Sequence, residues 1–180
     1  MRFPVELRTP RLILRPWGAD DAAELLPILE ANRAHIGPWI PARVANPAPV
    51  PELAQRLEGF AALFRQDREW RYAMIDAADG RVLGEVGLFP RNAIGRVPFT
   101  DADRVELGYW LRADSTGRGI VAEAADAVLA TAAGFREFSQ MEIRCDPRNA
   151  PSVNVARRLG FELMETTDEP LQVWVRPSSR

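Results

Sequence analysis

Three features of the sequence predict a single α/β (α+β) domain, a mixed sheet flanked by helices. The first is residues 106–124, reading Glu-Leu-Gly-Tyr-Trp-Leu-Arg-Ala-Asp-Ser-Thr-Gly-Arg-Gly-Ile-Val-Ala-Glu-Ala, where an apolar strand pattern passes through a glycine turn straight into a helix. The second is Asp79-Gly80 between two apolar runs, a dipeptide suited to a tight hairpin. The third is the interleaving of strand-like and helix-like periods along the whole chain, without a repeat or a low-complexity segment. At 180 residues and 47% hydrophobic content, such a chain buries one sizeable core.

Residues 11–15, Arg-Leu-Ile-Leu-Arg, form an opening strand punctuated by Pro10 and Pro16. After Gly18, Asp20 and Asp21 cap a helix with the apolar stripe Ala23, Leu25, Leu26, Ile28 and Leu29; Pro27 predicts a kink, and the helix fades near Asn32. The proline-rich segment 41–51 reads as a loop, and 51–65 as a helix with Pro51 in its first turn. Residues 70–75 and 82–88 are the antiparallel strands of the hairpin. A polar loop over 92–103 leads to a third strand, 104–111, and the alanine-rich helix after the glycine turn spans 118–134, ended by Gly134. A strand over 138–145 precedes a short helix over 151–159, with Asn149 near its start and Gly160 at its end. Residues 162–166 and 171–175 close the sheet as a strand pair, giving the order β-α-α-β-β-β-α-β-α-β-β.

Composition removes several chemistries. The 23 basic and 25 acidic residues leave no electrostatic footprint for a nucleic-acid backbone. Every basic residue is arginine, so Schiff-base catalysis, a lysine general base and self-acetylation on lysine are excluded. One His and one Cys build neither the usual zinc cage nor an internal disulfide, so a metal-free fold in a reducing compartment is the default. No apolar run approaches membrane-spanning length, and the expectation is a soluble cytoplasmic protein without a membrane partner.

The glycine turn carries the chemistry. Amides around Gly117 and Gly119 are free to face an anion, the positive end of the following helix adds attraction, and Arg118 brings a full charge. That points to a phosphate-bearing, nucleotide-like cofactor, yet Thr-Gly-Arg-Gly has neither the Lys-Ser/Thr ending of a P-loop nor dinucleotide-fingerprint spacing. Its company narrows the choice: Cys-Asp-Pro-Arg-Asn-Ala-Pro-Ser at 145–152 follows a strand, and Arg-Arg-Leu-Gly-Phe at 157–161 ends the next helix. Together these resemble the GNAT N-acetyltransferase superfamily. The runs Leu-Arg-Thr-Pro-Arg-Leu-Ile-Leu-Arg-Pro at 7–16, Asn-Arg-Ala-His-Ile-Gly-Pro-Trp at 32–39 and Glu-Leu-Gly-Tyr-Trp-Leu at 106–111 resemble its RimJ/RimL branch, so the likeness covers nearly the whole chain. The turn departs from the family pattern at Thr116, where Gln, Arg or an aromatic is usual, and at Val121, where Gly or Ala is usual.

The resemblance implies a GNAT-type, mostly antiparallel sheet and acetyl-coenzyme A (acetyl-CoA) as cofactor. In that pattern Trp110 and Leu111 offer backbone groups to the pantetheine arm where the sheet splays, and Thr116, Gly117, Arg118, Gly119 and Ile120 hold the pyrophosphate. Asn149 and Ser152 line the thioester end, and Arg157 reaches the nucleotide. The implied reaction is direct acetyl transfer to a primary amine in a ternary complex, the acceptor being a protein N-terminal α-amine as in ribosomal-protein-alanine acetyltransferases. A polyamine or aminoglycoside-like acceptor, and a non-catalytic acyl-CoA-binding module, stand as alternatives. Glu106 is the first choice for general base or ammonium anchor, against plain pairing with an arginine of the sheet. The tyrosine that many family members carry before Leu-Gly-Phe is replaced by Ala156, which leaves Ser152 as nearest proton donor, against simple helix capping. His35 and Trp39 are assigned to the acceptor pocket. Cys145, without an adjacent histidine, reads as inert rather than as a ping-pong nucleophile, and the acidic cluster 165–169 reads as a solvated turn. A homodimer is left open.

Overall fold

The computed structural model describes residues 3–135, 138–164 and 170–177. In chain order its elements are β1 (Leu7–Arg8), β2 (Leu12–Pro16), α1 (Ala22–Ile36), α2 (Ala42–Ala45), α3 (Val50–Arg65), β3 (Trp70–Asp76), β4 (Val82–Arg91), β5 (Arg104–Leu111), α4 (Ile120–Phe135), β6 (Gln140–Cys145), α5 (Ala150–Arg158), β7 (Glu162–Met164) and β8 (Gln172–Pro177). They build one eight-stranded sheet in the order β1-β2-β3-β4-β5-β6-β8-β7, antiparallel except where β5 meets β6. The Asp79-Gly80 hairpin forms as expected, with Gly80 at φ 77°, a left-handed conformation that glycine adopts without a Cβ clash.

Helices cover both faces. One core packs α4 and α5 on the sheet through Leu14, Val86, Leu107, Ala124, Val128 and Ala156; the other packs α1 and α3 on the opposite face through Leu25, Leu29, Leu53, Leu57, Ala73 and Trp110. The alanines of α4 give its backbone a close approach to the strands, with Ala124, Ala125 and Ala132 all at 0% exposure. Period-two alternation along β5 sends Leu107, Tyr109 and Leu111 toward α4 and Trp110 toward α1 and α3.

Several elements depart from the sequence reading. Helix α1 continues through Pro27 and past Asn32 to Ile36, because Asn32 is recruited as a tie: its Nδ2 donates to the Ile28 carbonyl at 2.8 Å and its Oδ1 accepts from the Ala113 amide at 2.8 Å. The 41–51 segment contains the single turn α2, and β1 adds a short edge strand. Strand β4 extends to Arg91 because β5 pairs with it along its length, from Gly84↔Leu111 to Arg91↔Arg104. Phe138, 2% exposed, fills the core ahead of β6 rather than joining it. The acidic cluster 165–169, and the last two residues of the strand expected over 162–166, lie outside the described residues. No helix among the described residues is long and apolar enough to cross a membrane.

Candidate active site

The site begins where two strands part. Strand β5 pairs with β6 only from Arg104↔Gln140 to Leu107↔Ile143, although β5 runs on to Leu111 and β6 to Cys145. Beyond Leu107 one edge of the β5 backbone therefore faces a gap instead of a neighbour. A cavity of about 600 Å³ opens at that end, walled by Tyr109, Trp110 and Leu111, by the turn at Thr116, Gly117 and Gly119, and by the first residues of α4.

The turn is shaped for backbone presentation. Gly117 and Gly119 lie at φ 76° and 75°, where a side chain would be strained, and Thr116 spends its hydroxyl on the Ala113 carbonyl at 2.9 Å. The Val121 side chain packs into the α4 core, so the residue that departs from the family pattern is accommodated inward. Four N–H groups at the start of α4 lack intrahelical partners by construction, and the residues that carry them, Gly119, Ile120, Val121 and Ala122, line this cavity.

A second cavity of about 360 Å³ adjoins the first on the α1 and α3 face, and Trp39, Ile40, Tyr109, Trp110, Asn149 and Ser152 wall both. Gly108 lines it, paired across the ladder with Gly87; a Cβ on Gly108 would lie 2.9 Å from the Phe89 ring, which also lines the cavity, so a side chain there would crowd that wall. Glu106 lines the same cavity. Its Oε2 accepts from Arg91 Nη1 at 2.6 Å and its Oε1 from Arg96 Nη2 at 2.9 Å.

Those bonds belong to a longer alternating chain of charge. Trp17 Nε1 donates to Glu85 at 2.7 Å, Arg71 bridges Glu85 and Glu69 at 2.7 and 2.8 Å, Arg96 links Glu69 to Glu106, and Arg91 and Arg104 flank Glu142. Arg71 is buried between the Phe60 and Phe89 rings, each centroid 4.6 Å from its guanidinium carbon. Burial alone would raise Glu69, but the charge and hydrogen bond of Arg71, with Arg43 and Arg96, outweigh it and hold the carboxyl below its ordinary value.

At the junction of the cavities, Asn149 caps α5 by accepting from the Ser152 amide at 3.3 Å, and the Ser152 hydroxyl lies 2.8 Å from the Tyr109 hydroxyl. Burial pushes the Tyr109 phenol well above its usual value against the opposing bond to Ser152, which keeps it protonated. Burial likewise raises the Cys145 thiol, partly offset by Ser152.

Of the residues singled out in the sequence, Trp110, Leu111, Thr116, Gly117, Gly119, Ile120, Asn149 and Ser152 wall the first cavity together with His35, Trp39 walls both, and Glu106 lies in the second. Arg118 contributes its carbonyl, which accepts from Arg11 Nη1 at 2.9 Å. Arg157 is elsewhere, over the Trp174 ring at 5.5 Å, and its neighbour Arg158 takes the place on the wall. Tyr109, Arg158, Arg91 and Arg96 escaped the sequence reading. The period-two alternation of β5, which separates Tyr109 from Glu106, was the available signal for the first.

Residues 11–162 match the family model described as an acetyltransferase (GNAT) domain. The chain belongs to the GNAT acetyltransferase family. It is an acetyl-CoA-dependent N-acetyltransferase, and the open β5 edge, glycine turn and α4 amides fit that cofactor. The chain is similar to a Bacillus subtilis (strain 168) protein named "Probable N-acetyltransferase YjcK", 26% identical over 157 residues that cover 86% of this chain and 82% of that one. Among solved structures, RimL, a ribosomal L7/L12 α-N-protein acetyltransferase in complex with coenzyme A, superposes with a TM-score of 0.78 at 19% identity, covering 98% of both chains. A ribosomal-protein-S5-alanine acetyltransferase from Vibrio fischeri gives 0.77 at 20% identity, covering 97% of both. At these identities the likeness is one of fold.

Proposed function

We propose that this GNAT acetyltransferase acetylates a protein N-terminal α-amine by direct attack within a ternary complex. The observation that carries the reading is the meeting of the two cavities at Tyr109, Trp110 and Ser152, which gives donor and acceptor separate entrances and one common point. The acceptor side favours a peptide over a polycation. Its entrance is walled by Pro38, Trp39, Pro41 and Leu171, and each carboxylate lining it among the described residues already holds an arginine: Glu85 holds Arg71, Glu106 holds Arg91 and Arg96, and Asp146 holds Arg148. A polyamine would need several free carboxylates. Structural neighbours that act on ribosomal proteins point the same way.

The cofactor supplies an activated acetyl group as a thioester; the protein supplies position and protons. The free β5 edge from Gly108 to Leu111 orients the pantetheine arm as an added strand, and the turn and α4 amides hold the pyrophosphate. Glu106 keeps further lone pairs beyond those given to Arg91 and Arg96, and these accept hydrogens of the incoming amine, anchoring it and taking its proton directly or through water. Ser152 donates a proton to the departing sulfur and draws on the protonated Tyr109 hydroxyl 2.8 Å away.

Thiol release from acetyl-CoA, screened with peptides against polyamines and aminoglycosides, tests the acceptor: peptides beginning Ser or Ala should be preferred, and a preference for polyamines overturns the reading. For the proton donor, Ser152→Ala and Tyr109→Phe should each lower kcat by about 10- to 100-fold, with the double variant no worse than the poorer single one. Full multiplicative losses would show that the two hydroxyls act separately.

A further inference from the structure

We propose that Arg11 and Arg158 form a phosphate clamp beside the glycine turn of the first cavity, taking a phosphate of the cofactor alongside the glycine-turn amides. The inference rests on the acetyl-CoA site described above.

Gly119 marks the spot. A Cβ built on it would lie 3.6 Å from Arg158 Nη2, 3.8 Å from Arg158 Nη1 and 3.8 Å from Arg11 Nη2. Two guanidinium groups thus converge on one point from distant parts of the chain, Arg11 just ahead of β2 and Arg158 in the last turn of α5. The Arg11 charge is offset by Glu123, whereas Arg158, which lines the cavity, makes no ion pair with a carboxylate among the described residues and is left to attract an anion there. The planar fork of Arg158, with both Nη atoms near Gly119, suits a phosphate bidentately.

Arg11 is held in place for this task. Its Nε donates to Glu123 at 2.6 Å, its Nη1 to the Arg118 carbonyl at 2.9 Å, and Nη2 alone is left pointing at Gly119. Glu123 sits in the first turn of α4, where an uncovered carboxylate would repel a bound pyrophosphate. Thr9 and Arg11 cover it: the Thr9 hydroxyl and the Arg11 amide and Nε all donate to it. Glu123 therefore aims the Arg11 fork, while Arg11 neutralises a charge that would oppose the ligand. Gly119, left-handed at φ 75° and without a side chain, leaves the space between the two forks open.

The occupant is a phosphate of coenzyme A, either the pyrophosphate or the ribose 3′-phosphate. Isothermal titration of the full-length protein with coenzyme A and with dephospho-coenzyme A separates them. Wild type should bind coenzyme A, and Arg158→Met should weaken that binding about tenfold. Loss confined to coenzyme A supports the clamp with the 3′-phosphate in it; equal loss for both ligands supports the clamp on the pyrophosphate. Arg158→Met binding both ligands with wild-type affinity overturns the clamp, whereas wild type binding neither overturns the cofactor site itself. Arg11→Met leaves Glu123 uncovered, so it should cost more affinity than the double variant Arg11→Met/Glu123→Gln. Equal losses in those two would remove Glu123 from the device, and thermal melts confirm that each variant is folded.

Discussion

Both oxygens of Glu106 are engaged by guanidinium groups, so any substitution there disturbs charge balance as well as chemistry. Glu106 and Arg91 are 12% and 15% exposed, and removing the carboxylate leaves the poorly hydrated Arg91 charge with only the longer 3.8 Å contact to Glu142. Glu106→Gln should lower the unfolding free energy by about 1–3 kcal/mol in urea titration, the more exposed Arg96 contributing little of it. An unchanged midpoint would show that the pairs add nothing to stability. That a carboxylate stood in the strand was legible in the sequence; its partners were not, because Arg91 and Arg96 lie 15 and 10 positions away, next to and within a segment that reads as loop. Cys145 follows the same logic in reverse. A buried thiol raised above its ordinary value stays protonated at neutral pH, so iodoacetamide at pH 7.5 should modify the native protein far more slowly than the urea-unfolded chain. Comparable rates would return Cys145 to the list of candidate nucleophiles.

Strand β5 is where local pattern and tertiary pairing combine. Its apolar alternation, the glycine turn and the Asn149 cap are consequences of short-range chemistry and could be read from adjacent residues. The early end of the β5–β6 ladder could not, since it depends on a parallel partner more than thirty positions away and on α5 lying beside the gap. Gly84 on β4 locks the other edge of β5. A Cβ there would fall on the Trp110 carbonyl oxygen and 2.9 Å from the Leu111 Cα, both backbone atoms that cannot swing aside. Gly84→Ala should push the end of β5 out of register with β4, destabilising the fold by about 1–3 kcal/mol. Because the displaced residues are those facing the cofactor cavity, the same variant should also bind coenzyme A several-fold more weakly by titration calorimetry. Loss of stability with undiminished binding would detach Trp110 and Leu111 from cofactor positioning.

Across the molecule, ionised carboxylates and neutral phenols set opposite ends of one stability profile. Burial would raise Glu69, Asp21 and Glu123, but bonds and charges from Arg71, from Arg15 with the Gly18 amide, and from Thr9 with Arg11 outweigh it, leaving all three below their ordinary values. A carboxyl lowered in the folded state binds fewer protons there than in the unfolded chain. Its contribution is therefore complete above the unfolded values of 3.8 to 4.5 and is lost as pH falls through the folded ones. Tyr72 and Tyr109 work the other way: burial raises both above 10, so their contribution is complete below pH 10 and is lost as pH climbs past it. Urea midpoints should accordingly hold a plateau at neutral pH, decline below about pH 4.5 and decline again above about pH 10. Asp21→Asn should flatten the acid limb and the pair Tyr72→Phe/Tyr109→Phe the alkaline one, each leaving the other limb in place. An acid limb as steep in Asp21→Asn as in wild type would show that the Arg15–Asp21 pair, which ties the end of β2 to the start of α1, carries no pH-dependent share of the fold.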